Sequence, residues 1–172
     1  VISNILLQIT NLFAASSDLE HTLGAITRIL MEHTNADQMA LVRFDPDSDR
    51  ADLWYLTDKK GALLHTESDT ASLNEVWSCL DGLEEAGQLI LPGNLLESCG
   101  FLDSPQNEPA AGQTSLCFPL SVPGEVHGLL VSLETDRPGR SQRVNLLREA
   151  ALQIASGIQN HILQTVQHKQ TL

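Results

Sequence analysis

Apolar residues at Ile2, Ile5, Leu6, Ile9, Leu12 and Phe13 recur every three or four positions, which predicts an opening helix with one apolar stripe. Ala14-Ala15-Ser16-Ser17 ends it. Ser17 with Glu20 has the spacing of a capping box, and the helix it opens presents Leu19, Leu23, Ile26 and Leu30 before stopping near Asn35. The period then changes. Gln38–Phe44 and Ala51–Thr57 read as two strands joined by the turn Asp45-Pro46-Asp47-Ser48-Asp49, with a short third strand over Ala62–Thr66. Ser72 and Glu75 predict a second capping box, on a helix carrying Leu73, Val76, Trp77 and Leu80. Gln88–Leu91 is a short strand closed by Pro92-Gly93. Asn94–Cys99 fits one helical turn, and Phe101–Gly112 is a loop.

The most apolar stretch is TSLCFPLSVPGEVHGLLVSLETD, Thr114–Asp136, which predicts a hairpin turning at Pro123-Gly124. Pro119 cannot donate to a ladder, so a bulge or an unpaired edge is expected beside it. The second strand is apolar on both faces, which marks a central strand covered on both sides, and Gly128 implies a close backbone approach. Ser141 can cap the last helix. Its stripe, Val144, Leu147, Ala151, Ile154, Ile158, Ile162 and Val166, alternates steps of three and four, the seam of a coiled coil. The order helix, helix, strands, helix, strand, loop, two strands, long helix predicts an α+β domain. In it an antiparallel sheet of five or six strands has the N- and C-terminal helices on one face. Short helices and loops cover the other face and wall a ligand pocket there.

The chain has 172 residues, room for one domain with a sizeable core, and 22 acids against 10 Lys and Arg. A net charge of -12 repels nucleic-acid backbones and anionic membrane, so neither is an expected partner. Arg137, Arg140, Arg143 and Arg148 are the exception; they read as a solvated helix start or as a docking patch for an acidic partner. Three cysteines, Cys79, Cys99 and Cys117, share no metal spacing and fit free thiols in a reducing cytoplasm. The first residues have neither a basic leader nor a spanning length, and the missing initial Met suggests a piece of a longer protein.

SLCFPLSVPGEVHGLLVSLETD followed by VNLLREAALQIASGIQNHIL resembles the GAF domain family at Ser115, Pro119, Leu120, Gly124, Gly128, Leu146, Leu147, Ala150, Ala155, Ile158 and Asn160. DLEHTLGAITRILMEHTNADQMALVRFD and LNEVWSCLDGLEEAGQLILPG are similar to the family's second helix with first strand and to its mid-domain helix with following strand. The resemblance implies one GAF domain over 1–168, with 1–14 and 141–168 as dimerising and signalling helices and 169–172 a tail toward an output domain. It implies a cytoplasmic, homodimeric, non-enzymatic sensor joined to a histidine kinase, a cyclic-di-GMP enzyme or a transcriptional activator. Ile2, Ile5, Ile9, Leu147, Ile154, Ile158 and Ile162 are then the dimer-helix residues. Trp54, His65, Trp77, Cys99, Phe101 and Cys117 are the candidate pocket residues, with no metal, no evident cofactor and an unknown small-molecule ligand possible. The aromatic residues Trp54, Tyr55, Trp77 and Phe101 equally suit core filling. His127 reads as a hydrogen-bonded core residue or a ligand. Cyclic-nucleotide members of the family carry an Asn-Lys-Phe-Asp-Glu constellation that has no counterpart here. Two alternatives stand beside the sensor: a ligand-free dimerising spacer, and a free methionine sulfoxide reductase using the three thiols.

Overall fold

The computed structural model describes residues 2–16, 18–45, 47–58, 70–80, 83, 87–99, 101, 112–123 and 125–171. In chain order the elements are α1 (Ile2–Ala15), α2 (Leu19–Thr34), β1 (Gln38–Asp45), β2 (Arg50–Asp58), β3 (Thr70–Ser72), α3 (Leu73–Cys79), β4 (Leu89–Pro92), α4 (Leu95–Ser98), β5 (Gln113–Val122), β6 (Glu125–Thr135) and α5 (Arg140–Thr171). Six strands form one antiparallel sheet in the order β3-β2-β1-β6-β5-β4. The strand expected over Ala62–Thr66 lies outside the described residues; the observed third strand, Thr70–Ser72, pairs with Arg50–Asp52.

Two apolar layers flank the sheet. One unites α1, α2 and α5 with Met39, Leu41, Leu116, Phe118, Leu120 and Leu130 of the strands. The other gathers α3, α4, Leu83 and Phe101 against Ala40, Val42, Phe44, Ala51, Leu53, Leu56, Cys117, Leu129 and Val131. Along β1 these memberships alternate residue by residue, as the pleat requires. In α2 the threonines Thr22, Thr27 and Thr34 are buried with the stripe because each hydroxyl donates to a carbonyl one turn earlier, at 3.0, 2.8 and 2.7 Å. Asn35 closes that helix in the left-handed conformation (φ 53), where its amide reaches the Met31 carbonyl.

Both expected capping boxes are replaced. Asp18, not Ser17, caps α2, accepting from the His21 amide at 3.3 Å. At α3, Ser72 holds the cap position without making the cap bond. Asp49, in the β1–β2 turn, receives the Asn74 amide (3.1 Å) and the Ser72 hydroxyl (3.0 Å), and its own carbonyl takes the Leu73 amide (3.1 Å). A remote carboxylate thus meets the free N–H groups that a local serine was expected to meet. α5 likewise begins at Arg140, ahead of Ser141, and runs to Thr171, so the tail expected from 169 is helical through that residue.

β6 is central, between β1 and β5, as its two apolar faces required. At Gly128 a Cβ would overlap the Val42 carbonyl oxygen, so only glycine fits where β1 crosses. β4 pairs no further than Cys117, leaving Pro119 on a stretch of β5 whose outer side β4 does not reach; the β5–β6 ladder breaks register one residue on, between Leu120 and Ser121. The irregularity makes His127 the extra residue on β6, since Leu120 faces Gly128 and Ser121 faces Val126. His127 Nε2 makes no hydrogen bond and lies 3.7 Å from a Glu125 carboxylate oxygen, so it is not the hydrogen-bonded core residue the sequence suggested.

The arginines at the head of α5 are engaged within the chain. Glu134, at the end of β6, is 1% exposed. Arg143 Nε bonds it at 2.6 Å, Arg140 Nε at 3.2 Å, and Arg137 Nε lies at 3.8 Å. Arg137 also donates to the Thr34 carbonyl, and Arg140 to Asp136. Arg148 turns instead to Gln88, ahead of β4, at 2.9 Å. One buried carboxylate and its arginines therefore join β6, the end of α2 and the start of α5.

The stripe read as dimer helices is largely buried within the chain. Ile5, Ile9, Leu147, Ile154 and Ile158 are at most 5% exposed and belong to the core between helices and sheet, so they are spent within the chain. A helix lying on a sheet needs the same three-four spacing as a coiled-coil seam. Ile162 is 44% exposed, and the side chains of Ile2 and Val166 lie outside the description.

Candidate functional site

The face opposite the terminal helices is where the short elements gather. α4 is fixed there by a relay. Ser115 of β5 accepts the Leu95 amide at 2.9 Å and donates to the Gly93 carbonyl at 2.7 Å, while Asn94 caps the helix through the Leu96 amide at 3.0 Å. Gly93 takes φ 82 to make that approach. α3 leans on β1 through Trp77, whose ring meets Phe44 edge-on at 5.3 Å and 61°.

Of the six expected pocket residues, four are brought together. Trp77, Cys99, Phe101 and Cys117 share the α3–α4 layer, with Cys79 packed against them. His65 lies outside the described residues. Trp54 lies on the other face of the sheet, at a bulge. Leu41 pairs with Tyr55 but Val42 pairs with Leu53, so Trp54 is an extra residue in β2. The bulge turns both Trp54 and Tyr55 toward the terminal helices and returns Leu56 to the opposite layer. There Trp54 lies under the Arg43 guanidinium, 5.1 Å from the ring centre, and Tyr55 donates to the Glu20 carbonyl at 2.5 Å.

The three thiols come from α3, the end of α4 and β5, and are free. Burial, with the neighbouring thiols of Cys79 and Cys117 adding to it, pushes the Cys99 thiol well above its ordinary range. Burial alone pushes Cys117 up to about 12. Both are therefore held protonated, the opposite of an activated nucleophile. Among the described residues, no group of three or more His, Cys, Asp or Glu is arranged to hold a metal.

A signal present in the sequence gains meaning from this layout. From Gly61 to Asp136 there is no Lys or Arg, while 12 Asp and Glu occur. That segment contains α3, β4, α4, β5 and β6. The cations nearest on the remaining strands, Arg43 and Arg50, both pair with the buried Asp52, at 3.4 and 2.9 Å. Among the described residues, the α3–α4 layer is thus apolar and without Lys or Arg, a setting unfavourable to phosphates and carboxylates.

The GAF domain family model matches residues 18–158. The chain belongs to the GAF domain family. Solved structures agree on the fold. The GAF domain of a phosphoenolpyruvate-protein phosphotransferase from Coxiella burnetii is 20% identical, with a TM-score of 0.72 and 96% of each chain covered. A phycocyanobilin-bound GAF domain from a cyanobacterial phytochrome is 16% identical, TM-score 0.72, covering 95% of this chain and 97% of that one. Free methionine-R-sulfoxide reductase from Neisseria meningitidis, in complex with its substrate, is 15% identical, TM-score 0.67, covering 95% and 91%. No curated protein matches the chain. Among the described residues of this GAF domain, no helix is long and apolar enough to cross a membrane.

Proposed function

We propose that this GAF domain is a cytoplasmic sensory module that binds a neutral or cationic, mainly apolar small molecule on its α3–α4 side. The observation that carries the reading is the wall just described: apolar layer, anchored α4, and no Lys or Arg over 61–136. Occupancy would be passed along α5 to an output domain of the histidine kinase, cyclic-di-GMP enzyme or transcriptional activator kind. The mechanical link that supports this route is the Gln88–Arg148 bond, which ties the approach to β4 directly to α5. A ligand that acts through it must bind two arrangements of that helix unequally. A second copy would meet the exposed Leu7, Ile162 and Leu163 and not the buried stripe.

The two tryptophans make the test simple, because they lie on opposite faces. In Trp54→Phe, which leaves Trp77 as reporter, a compound bound on the α3–α4 side shifts the emission and raises the melting temperature. In Trp77→Phe the melting-temperature rise remains and the emission shift is lost. A library of neutral and cationic compounds that moves neither quantity refutes the sensor reading and favours the ligand-free spacer. Turnover of free methionine sulfoxide by the thiols would refute it in favour of the enzyme.

A further inference from the structure

On the opposite side of the molecule, α1 and α5 touch where Gly157 allows the Phe13 ring to lie on the helix backbone; a Cβ there would overlap the ring. Beside this crossing the helices part, leaving a cleft of about 510 Å³. Its volume is within the range of small-molecule sites. Leu6, Ile9, Phe13 and Leu19 contribute apolar lining from α1 and the start of α2, and Leu152, 46% exposed, contributes from α5.

The polar groups of the cleft are unequally committed. The Thr10 and Thr22 hydroxyls donate within their own segments, to Leu6 and Asp18 carbonyls at 3.1 and 3.0 Å. Gln153 differs: its Oε1 is buried and has no hydrogen-bond partner. A buried acceptor left without a donor is costly; Gln153 itself is part-exposed on the cleft, so a turn of its side chain that offers Oε1 to a ligand's donor would relieve that cost. No Lys or Arg lines the cleft, whose ionisable lining residues are Glu149 and His161, so a fixed positive charge to receive an anion is lacking.

We propose that the α1–α5 cleft is a second small-molecule site, taking an uncharged apolar ring system with a single N–H or O–H donor that Gln153 Oε1 receives. This site is independent of the one on the α3–α4 side. It lies between the two terminal helices, so its occupant would wedge against α5 directly.

The test uses indole and benzofuran, which match in shape and differ in the N–H. Each is titrated into the whole chain with methyl-labelled leucines, read by NMR. Indole is expected to shift the Leu6 and Leu152 methyls saturably, and to bind about two- to tenfold tighter than benzofuran. In Gln153→Leu the preference disappears while the melting temperature holds or rises, because an unsatisfied buried acceptor has been removed. Ser156→Trp, at an exposed position on the cleft, blocks both compounds without unfolding the chain. The inference is overturned by indole that fails to saturate, by a preference that survives in Gln153→Leu, or by shifts confined to Leu73, Leu95 and Leu96 of the α3–α4 layer. Binding that vanishes as the chain self-associates also overturns it, since a second copy is then the occupant. The tryptophan experiment above reads the other face, so either proposal can fail alone.

Discussion

Replacing Glu134 by glutamine removes one charge from the point where the sheet and α5 join. The carboxylate is 1% exposed and receives Arg143 and Arg140, with Arg137 close by. Glutamine keeps the shape and one acceptor oxygen but leaves these arginine side chains, 13 to 32% exposed, without their buried counter-charge. Removing one partner from a buried ion pair costs about 3–5 kcal/mol. Asp136 stays as a partner of Arg140, which places the loss near the lower end, about 3 kcal/mol. For a chain of this size each kcal/mol lowers the melting temperature by about 2–4 °C, giving a fall of roughly 6–12 °C. Asp136→Asn is the control. That carboxylate is 55% exposed in its side chain, so its pair with Arg140 should add little and should fade with added salt. Calorimetry on both variants at low and high salt decides the matter. If Glu134→Gln melts no lower than Asp136→Asn, or if its deficit is screened away by salt, the cluster is a surface feature and the reasoning from burial is wrong.

Gly128→Ala should be among the most damaging single-methyl changes, about 3 kcal/mol or more, because the new Cβ meets the Val42 carbonyl, which is backbone and cannot rotate away; urea denaturation measures it. Thiol titration at neutral pH should show Cys79, the half-buried thiol, reacting first, with Cys99 and Cys117 reacting only on unfolding. Stability should also fall on the alkaline side. The unfolded chain releases thiol protons near the ordinary value of 9.0, whereas the folded chain holds the Cys117 proton to about 12. The stability is therefore fully present below about 9 and is lost as the pH rises toward 12. Cys117→Ala should flatten that alkaline slope in denaturation curves taken across the range.

How far the candidate site could be read in advance differs residue by residue. Trp77, Cys99, Phe101 and Cys117 fall together in one layer, the one opposite the terminal helices, although they come from a helix, a cap, a loop and a strand. Trp54 lies on the opposite face instead, where β2 carries an extra residue between the pairs Val42–Leu53 and Leu41–Tyr55. Only pairing with β1 reveals that insertion. The cation-free run from Gly61 to Asp136 was visible from the start, but it acquires chemical meaning only when the fold brings α3, α4 and residues of β5 and β6 into one layer.

The chain's own order of polar and apolar positions determined the element sequence, the central place of β6, the glycine at 128 and the close of α2 at Asn35. These follow from local sterics and from period, which neighbours along the chain define. What the tertiary structure alone decided is the identity of the partners. The stripe on α5 met its own sheet, the arginines met Glu134, and α3 took its cap from Asp49. A periodic pattern states that a face must leave water, and a charge states that it needs a counter-charge. Which surface or side chain answers depends on contacts between residues far apart in the chain, and those exist only once the sheet is assembled.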